Sequence, residues 1–423
     1  MLPPGYYNRK MRYRSRLAFT LIELLIVIAV IAILSIVVVL ILNPAQILMQ
    51  NRDSNRLSDM NTLSTAIGLY QAQGGNSLGT ANLVYVSIPD PLATSTLGDQ
   101  CQGLGLPALP ATYAYHCAAS SSYRNVNGAG WIPINFTTLA AKAPFSALPV
   151  DPINQSSSRL YYAYTTNGTQ YEVTSVMESQ KYALGGSNDA VASDGGTLAS
   201  VYEKGSQLGL EPLDYGDPSL LGYWTLNEGG GQVAYDDSGT NATGSWIGNQ
   251  IGGPTGYYTS NSAVGQYAGD FDGTSDYITT NFDMGGQSAI TVCAWVDMNT
   301  VVSQELIADQ WGGSPQAWMM QVGVTYLTFE TNSTLLTTPT PSAGAWHFFA
   351  GTYDGSDLVL YVDGQPVNST AATGAITSGA PKFRIGARAN DAQLKFGGII
   401  DDVRVYDRAL TAAQIAALYN GHK

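Results

Sequence analysis

The longest apolar stretch of the chain covers residues 19–42 and contains a single charged residue, Glu23. A helix over these twenty-four residues rises about 36 Å at 1.5 Å per residue, enough to cross the apolar core of a bilayer. Residues 1–18 carry five basic side chains and no acidic one, which favours a cytoplasmic leader and an exported remainder. We predict a transmembrane helix rather than a cleaved secretory signal, because the segment is too long and no A-x-A site follows.

Beyond residue 43 the pattern becomes amphipathic. Asn43-Pro44 predicts an interruption, because proline lacks an N–H and clashes with the preceding helical turn. Apolar residues then recur at three- and four-residue spacing from Leu57 to Tyr70, which is typical of a helix with one buried face. Residues 19–72 are therefore predicted to form one long, kinked helix. Its first half spans the membrane and its second half packs on the domain that follows.

Residues 73–214 predict a small α+β domain. Residues 160–166 and 170–178 alternate in polarity around Asn167-Gly168, a strong signal for a β-hairpin. Cys101 and Cys117 lie in the exported part of the chain, where they form a disulfide or remain as two free thiols.

Residues 218–423 predict an all-β domain. Strand-like runs separated by Gly, Asp, Asn and Ser turns follow one another, and almost no helical pattern occurs before residues 410–419. This arrangement favours a sandwich of the jelly-roll type. The expected fold class is therefore multidomain: a long N-terminal helix with an α+β head, followed by an all-β jelly roll.

The charge balance excludes some partners. The chain carries 19 Lys and Arg against 32 Asp and Glu, a formal net charge of −13. Phosphate binding needs clustered basic residues, so nucleic acid is not an expected partner, and a peripheral role on anionic lipid is disfavoured. Residues 205–381 contain seventeen acidic residues and no Lys or Arg. Such a stretch favours binding of cations, which would relieve its self-repulsion.

The segment from Ala18 to Glu23 reads Ala-Phe-Thr-Leu-Ile-Glu and precedes the apolar run. It resembles the N-terminal methylation segment of type IV pilins and type II secretion pseudopilins. The resemblance implies cleavage after Ala18 by a prepilin peptidase and methylation of Phe19, although the family usually has Gly where this chain has Ala18. It also implies a helical homo-oligomer that leaves the cytoplasmic membrane as an extracellular filament.

Assembly of such a filament explains the buried charge. After cleavage, Glu23 of one subunit is expected to neutralise the Phe19 amine of its neighbour, which removes two unpaired charges from an apolar medium. The interruption at Pro44 separates this assembly segment from the helix that supports the head.

The stretch Leu148-Pro149-Val150-Asp151-Pro152 and the Tyr-rich hairpin after it are similar to those of major pseudopilins. Some pseudopilins bind calcium in a loop that corresponds to residues 185–196. The resemblance therefore makes Asp189 and Asp194 weaker candidate calcium ligands, and an ordinary solvated loop is the alternative.

A series of aromatic and Asp-Gly motifs runs through residues 218–423. It includes Tyr223-Trp224-Thr225-Leu226-Asn227-Glu228, Phe271-Asp272-Gly273, Val292-Cys293-Ala294-Trp295-Val296, Trp346-His347-Phe348-Phe349, Tyr361-Val362-Asp363-Gly364 and Gly398-Ile399-Ile400-Asp401-Asp402. In this order the motifs resemble laminin G-like, concanavalin A-like lectin modules. Modules of this kind often hold one structural Ca²⁺ between an early loop and the terminal sheet. The candidate ligands here are Asp236, Asp237, Asn241 and Asp402.

No catalytic pattern stands out, so we predict that the chain is not an enzyme. From residue 215 onward the only glutamates are Glu228, Glu305 and Glu330, and they do not form the clustered pair that glucanases use. No Ser-His-Asp order, phosphate-binding Gly loop or metal–histidine motif is apparent. His347 is expected to be a satisfied strand residue.

Glycan binding is the more specific expectation for the jelly roll. Aromatic side chains stack on sugars and carboxylates meet their hydroxyls, and four candidates lie in or near loop-like segments: Trp311, Trp318, Tyr257 and Asp309. The alternative is that the aromatic residues fill the sandwich.

Three functions remain open. The chain is expected to be a filament subunit whose outer domain adheres to a glycan or to a surface protein. Alternatively, it is a pseudopilin of a secretion or DNA-uptake system whose extra domain contacts cargo or caps the tip. In the third alternative the sandwich only decorates the filament.

Overall fold

The computed structural model describes residues 20–93, 101, 103–140, 143–249, 257–301, 303–311, 316–331, 334–377 and 382–421. The chain divides into two compact units, residues 1–49 and residues 50–423. The processing residues Ala18 and Phe19 lie outside the described residues.

Two helices begin the described chain, α1 (Leu21–Leu42) and α2 (Pro44–Ala72). Thr20 and Glu23 form a reciprocal cap at the start of α1: Glu23 Oε2 accepts from Thr20 N, and Thr20 Oγ1 accepts from Glu23 N. Asn43 separates the helices with a φ of 37°, and Pro44 is the first residue of α2, where a missing N–H costs little.

The apolar side chains between Leu21 and Leu34 are exposed. Even so, within the part of the chain that is described, no helix has the length and hydropathy needed to cross a membrane. The transmembrane span predicted over residues 19–42 is therefore not confirmed.

The head, residues 73–214, contains a five-stranded sheet with the strand order β2-β1-β3-β4-β5. Strands β1 and β2 are parallel, and the other neighbours are antiparallel. One face of the sheet packs on α2, where Met60, Leu63 and Ile67 meet aromatic residues of the strands. The strands are β1 (Leu83–Asp90), β2 (Ala114–Ala119), β3 (Tyr162–Thr166), β4 (Tyr171–Val176) and β5 (Val201–Gly205), with a short 3-10 helix at Phe136–Thr138.

A buried ion network fastens α2 to the head. The Arg56 side chain is fully buried and contacts Asp53 of its own helix at 2.7 Å. It also contacts Asp151 and Glu178 of the head, each at 2.6 Å. Asp151 comes from the Leu-Pro-Val-Asp-Pro stretch, so that segment supplies the carboxylate that satisfies a buried guanidinium.

Residues 220–406 form two further sheets of eight strands each. The head-facing sheet has the order β19-β18-β17-β12-β21-β10-β9, with β6 also paired to β21, and the outer sheet has the order β16-β15-β14-β13-β20-β11-β8-β7. The strands of the head-facing sheet are β6 (Leu220–Trp224), β9 (Tyr258–Thr259), β10 (Ala268–Asp272), β12 (Ile290–Met298), β17 (Trp346–Tyr353), β18 (Asp357–Val362), β19 (Gln365–Ala371) and β21 (Gly397–Tyr406). Those of the outer sheet are β7 (Val233–Ala234), β8 (Gly244–Ile247), β11 (Tyr277–Thr279), β13 (Glu305–Trp311), β14 (Gln316–Val322), β15 (Tyr326–Thr331), β16 (Thr334–Pro339) and β20 (Arg384–Ile385).

The two sheets enclose an apolar core that includes Trp224, Trp246, Trp318 and Phe329. Helix α3 (Ala412–Gly421) follows the last strand, close to the helical pattern at 410–419. The multidomain fold with N-terminal helices and a C-terminal β-sandwich is thus confirmed.

The head and the sandwich share a second apolar core. On the head side it contains Val84, Val86 and Tyr161, from the sheet face opposite α2. On the sandwich side it contains strand residues such as Trp295 and Phe348, and α3 contributes Ile415 and Leu418. The sandwich therefore packs directly on the head sheet instead of hanging from a free linker.

Arg404 of β21 lies at this junction with no exposed side-chain surface. Its guanidinium contacts Asp214 at 3.4 Å, and Nη2 donates to Thr197 O of the head, to Asp402 and to the Tyr223 hydroxyl. Asp214 in turn accepts hydrogen bonds from the backbone of residues 199 and 200. One buried cation thus connects the terminal strand, the head and the segment between them.

A second contact between the head and the sandwich involves the loop closed by the disulfide between Cys101 and Cys117. Within the loop that it closes, Ala108 N donates to the carbonyl of Gly239 in the sandwich. Gly239 has a φ of +83°, and a Cβ there would lie 2.8 Å from Pro107 Cβ. The turn at residues 236–241 therefore fits against the head only with glycine at this position.

We expect Asp214→Ala to lower the free energy of unfolding by about 3–5 kcal/mol, because it leaves the buried Arg404 guanidinium without its head-side carboxylate. Denaturant unfolding of the detergent-solubilised full chain, followed by tryptophan fluorescence, measures this loss. Asp391→Ala, which removes an exposed carboxylate, serves as the control and should change stability by less than about 0.5 kcal/mol. Equal stability of the two variants would show that Arg404 does not hold the junction.

Candidate functional site

The pairing register of the outer sheet identifies a row of side chains that points away from the sandwich core. Residues directly opposite one another across six strands share one face of the sheet. In one row Phe329, Met320, Ala308, Ile385 and Ile278 belong to the core. The adjacent row, which faces the other way, is Leu335, Glu330, Met319, Asp309, Arg384 and Thr279.

This row and its neighbours form the outer face, a mixed polar and apolar surface. Leu335 and Ile247 are exposed on it, and Tyr277 of β11 is half-buried. The Arg384 guanidinium lies 5.0 Å from the centre of the Tyr277 ring. Glu330 is on the same face but is largely buried, and this burial raises the pKa of its carboxyl group. Aromatic, apolar and charged groups thus converge on the sheet face that the head does not cover.

Three of the four predicted glycan contacts are not exposed. Trp318 is fully buried and packs on Phe383, and Tyr257 stacks at 4.7 Å on Trp246 in the core. Asp309 is also fully buried, because a segment that contains Ala389 covers it. Ala389 N donates to Asp309 Oδ2. For Trp318 and Tyr257 the expectation was wrong because the large rings fill the sandwich. Trp311 ends β13, and its side chain lies outside the described residues.

In the turn that contains the predicted calcium ligands, Asp236 accepts four hydrogen bonds. Asp236 Oδ1 accepts from the N–H groups of Tyr223 and Ser238, and Oδ2 accepts from Thr240 Oγ1 and Ala242 N. Asp237 accepts from Thr225, and Asn241 is exposed with a φ of 65°. These contacts account for the position of Asp236 within the turn.

Asp402 makes its side-chain hydrogen bonds with Arg404 and the Tyr223 hydroxyl, and not with the polar side chains of that turn. Asp189 accepts from Gly185 N and Ala192 N, and Asp194 accepts from Gly196 N and Glu203 N. Over the described ranges, no group of three or more His, Cys, Asp or Glu residues is arranged to hold a metal ion. Calcium binding stays a prediction.

The head contains a pair of buried carboxyl groups that the sequence pattern did not reveal. Glu172 of β4 accepts from the N–H groups of residues 210 and 211 through Oε2, and Glu203 of β5 accepts from Leu198 N. The Oε1 atoms of both are buried, and the two carboxyl groups share a side-chain hydrogen bond when one of them is protonated. Burial raises the pKa of both groups, and for Glu203 the charge of Glu172 raises it further. The pair is therefore stable when it holds a proton.

One histidine, His347, lies between a serine and an aspartate, as the histidine of a Ser-His-Asp hydrolase does. His347 Nδ1 lies 2.9 Å from Asp363 Oδ2, and Nε2 lies 3.4 Å from Ser342 Oγ on an exposed loop. The Ser-His-Asp order that seemed absent from the sequence is therefore present in space. The Ser–His distance is longer than the 2.6–3.2 Å of a nucleophile–base pair, and Asp363 also accepts from Phe348 N.

Comparisons with known families identify two parts of the chain. The model described as the concanavalin A-like lectin/glucanases superfamily matches residues 272–416, and the prokaryotic N-terminal methylation motif matches residues 13–39. No curated protein matches the chain. The chain therefore joins a prepilin-type methylation motif to a concanavalin A-like domain, and this pairing supports a surface filament subunit.

Several solved structures resemble 48% of this chain. Domain 4 of an extracellular arabinanase from Geobacillus stearothermophilus, in complex with arabinotriose, is 21% identical over 98% of its length with a TM-score of 0.38. The receptor binding domain of botulinum neurotoxin C/D mosaic serotype is 14% identical over 51% of its length, with a TM-score of 0.35. A Trypanosoma rangeli sialidase is 13% identical over 32% of its length, with a TM-score of 0.36. The chain thus spans about half of the toxin domain and a third of the sialidase, and scores this low carry no argument about function.

The buried carboxyls predict that the protein loses stability as the pH rises. Burial raises the pKa of Glu211 from 4.5 to about 8, and that of Asp194 from 3.8 to about 7. The native state therefore keeps protons that the unfolded chain releases above about pH 4.5, so stability falls from there to about pH 8. Denaturant unfolding of the full chain at pH 5, 6.5 and 8 measures this slope.

Glu211→Gln removes up to one of the protons released on unfolding. It should therefore reduce the pH dependence of the unfolding equilibrium constant by up to a factor of ten per pH unit. Asp391→Asn, at an exposed position, is the matched control and should leave the slope unchanged. Stability that rises between pH 5 and pH 8 in the wild-type chain would contradict the prediction.

Proposed function

We propose that this protein is a subunit of a type IV pilus-like surface filament that displays the sandwich as an adhesive domain. The observation that carries the proposal is the second core, because it holds the sandwich against the head sheet face opposite α2. That arrangement leaves the outer face of the sandwich available to a ligand. A glycan or a protein on another surface is the proposed partner.

The N-terminal segment supplies assembly in this proposal. A prepilin peptidase cleaves after Ala18, Phe19 is methylated, and α1 resides in the cytoplasmic membrane until the subunit joins the filament. In the single chain, Glu23 Oε2 accepts hydrogen bonds from Thr20 N and Thr20 Oγ1 at the start of α1. In the filament its carboxylate instead pairs with the Phe19 amine of a neighbour, which compensates for the loss of the cap.

A pseudopilin role in secretion or DNA uptake is the alternative, with the sandwich at the tip or in contact with cargo. The two roles differ in where the sandwich is found. Electron microscopy of shed filaments with an antibody against the sandwich distinguishes them. Label along the whole shaft supports the adhesive subunit, and label only at one end supports a tip subunit.

Glu23→Ala should abolish filaments while the subunit still accumulates in the membrane fraction, because the neighbour's Phe19 amine loses its counter-charge. Filament yield by electron microscopy and subunit content by immunoblotting of membranes measure the two quantities. Ser35→Ala, on the same helix, is the control and should assemble normally. Normal filaments from Glu23→Ala would contradict the assembly role.

The Ser342–His347–Asp363 contacts resemble those of a hydrolase, but we predict that they do not activate Ser342. We expect no covalent labelling of the full chain by a fluorophosphonate probe, because the Ser342–His347 distance of 3.4 Å is long for activation of the hydroxyl. Intact mass spectrometry of the wild-type chain and of Ser342→Ala measures the labelling. Labelling that disappears in Ser342→Ala would instead establish a reactive serine.

A further inference from the structure

The basic residues of the sandwich that are neither fully buried nor paired at the junction with the head are confined to one short segment. From residue 205 to the end, the sequence contains seven basic residues, and four of them lie between residues 382 and 395. Arg404 is buried at the head junction, Arg408 is paired with Asp217, and Lys423 lies outside the described residues. We call the four remaining residues the basic strip: Lys382, Arg384, Arg388 and Lys395.

The strand pairing places Arg384 of the basic strip on the outer face, with the other three residues close to it in sequence. Arg384 opposes Asp309 and Thr279 in the outward row, and Lys382 precedes it by two residues at the entry to β20. Arg384 Nη1 donates to the carbonyl of Arg388, which fixes the following segment beside the strand. Lys395 ends this segment and donates to Ala392 O.

The charges of the basic strip are weakly neutralised. Lys382 lies 3.6 Å from Asp283, and Arg388 lies 3.3 Å from Asp391, both in exposed or half-exposed pairs. Arg388 Nε is buried and, among the described residues, makes no hydrogen bond, although Asp391 Oδ1 lies 3.3 Å away. Among the described residues Arg384 has no ion pair and rests on the Tyr277 ring. Exposed pairs contribute little free energy, so an incoming anion can exchange with these carboxylates.

An apolar platform adjoins the basic strip. Tyr277 and Ile247 are directly opposed on neighbouring strands, and Ile247 is 42% exposed. A sugar ring can place its apolar face on the exposed Ile247 while a substituent reaches Arg384, whose guanidinium covers one face of the Tyr277 ring. Because the domain from residue 205 to 381 has no basic residue, a polyanion is repelled elsewhere and is directed to this face.

We infer that the basic strip, with Tyr277 and Ile247, binds an anionic polysaccharide that carries carboxylate or sulfate groups. The inference rests on the proposed display of the sandwich, and it specifies the class of ligand. Guanidinium groups bind carboxylate and sulfate oxygens with two parallel hydrogen bonds, which gives Arg384 the main role.

The test measures binding of polygalacturonate, dextran sulfate and neutral dextran to the immobilised full chain in detergent at 50 mM and 300 mM NaCl. The expected result is binding of both polyanions, at least tenfold weaker at the higher salt, and no binding of neutral dextran. Equal binding of neutral dextran, or binding of neither polyanion, would overturn the inference.

Arg384→Gln should weaken polygalacturonate binding at least tenfold. The double variant Lys382→Gln/Lys395→Gln should weaken it about tenfold, and it keeps the test valid where loss of the Arg384–Tyr277 contact lowers stability. Lys181→Gln/Lys204→Gln removes the same charge from the head and should leave binding unchanged. Equal losses in the two double variants would show that only net charge matters and would overturn the assignment to the basic strip.

The failure of this inference is distinguishable from failure of the proposed function. Filament formation and the position of the sandwich are measured by microscopy and do not depend on the basic strip. Arg384→Gln filaments that carry the sandwich along the shaft but no longer bind polygalacturonate are the expected combination.

Discussion

The guanidinium of Arg404 is buried between two domains that are separate in sequence, and the arrangement of the exported part depends on its being satisfied there. It needs acceptors from the head, namely Asp214 and Thr197, and from Asp402 of its own strand at the same time. A buried cation without partners costs several kcal/mol, so Arg404 favours only arrangements in which the head and the sandwich are docked. The shared apolar core contributes buried surface to the docking of the two domains, and Arg404 favours one orientation of the sandwich on the head.

The acidic composition takes on a different meaning in this context. Many carboxylates are not on the surface but inside, where they accept backbone hydrogen bonds at the turns that hold the head and the sandwich together, as Asp214 and Asp236 do. In the sandwich, the few basic residues divide between the junction with the head and one exposed strip. The net charge therefore says less than the positions at which individual charges are buried or exposed.

Local patterns predicted much of the fold. The interruption at Pro44, the Asn167-Gly168 turn and the alternating strands of the sandwich are short-range features that the sequence carries directly. Residues 318–330, in contrast, have the pattern of a single strand-like run in the sequence but belong to two strands, because the chain turns back between Val322 and Tyr326, where Gly323 N donates to Tyr326 O. Periodicity alone cannot separate one long strand from a tight hairpin.

The candidate site was less predictable than the fold. Trp318 is buried on the core side of its strand, and Asp309 lies in the outward row but is buried by the segment that contains Ala389. The outward row of β20 depends on pairing with strands about seventy-five and one hundred residues earlier. The contact of Arg404 with Asp214 joins positions 190 residues apart, and neither has a local signature. Such contacts follow from how whole sheets pack, which is decided by the sum of many side chains.

The second core also determines how the protein responds to a mechanical load. In the proposed adhesive subunit, a ligand bound on the outer face would transmit tension to the head through this core, which includes Trp295 and Phe348 of the sandwich and residues of β1 and β3. Because the sandwich packs directly on the head sheet over the described residues, the two would move together under such a load.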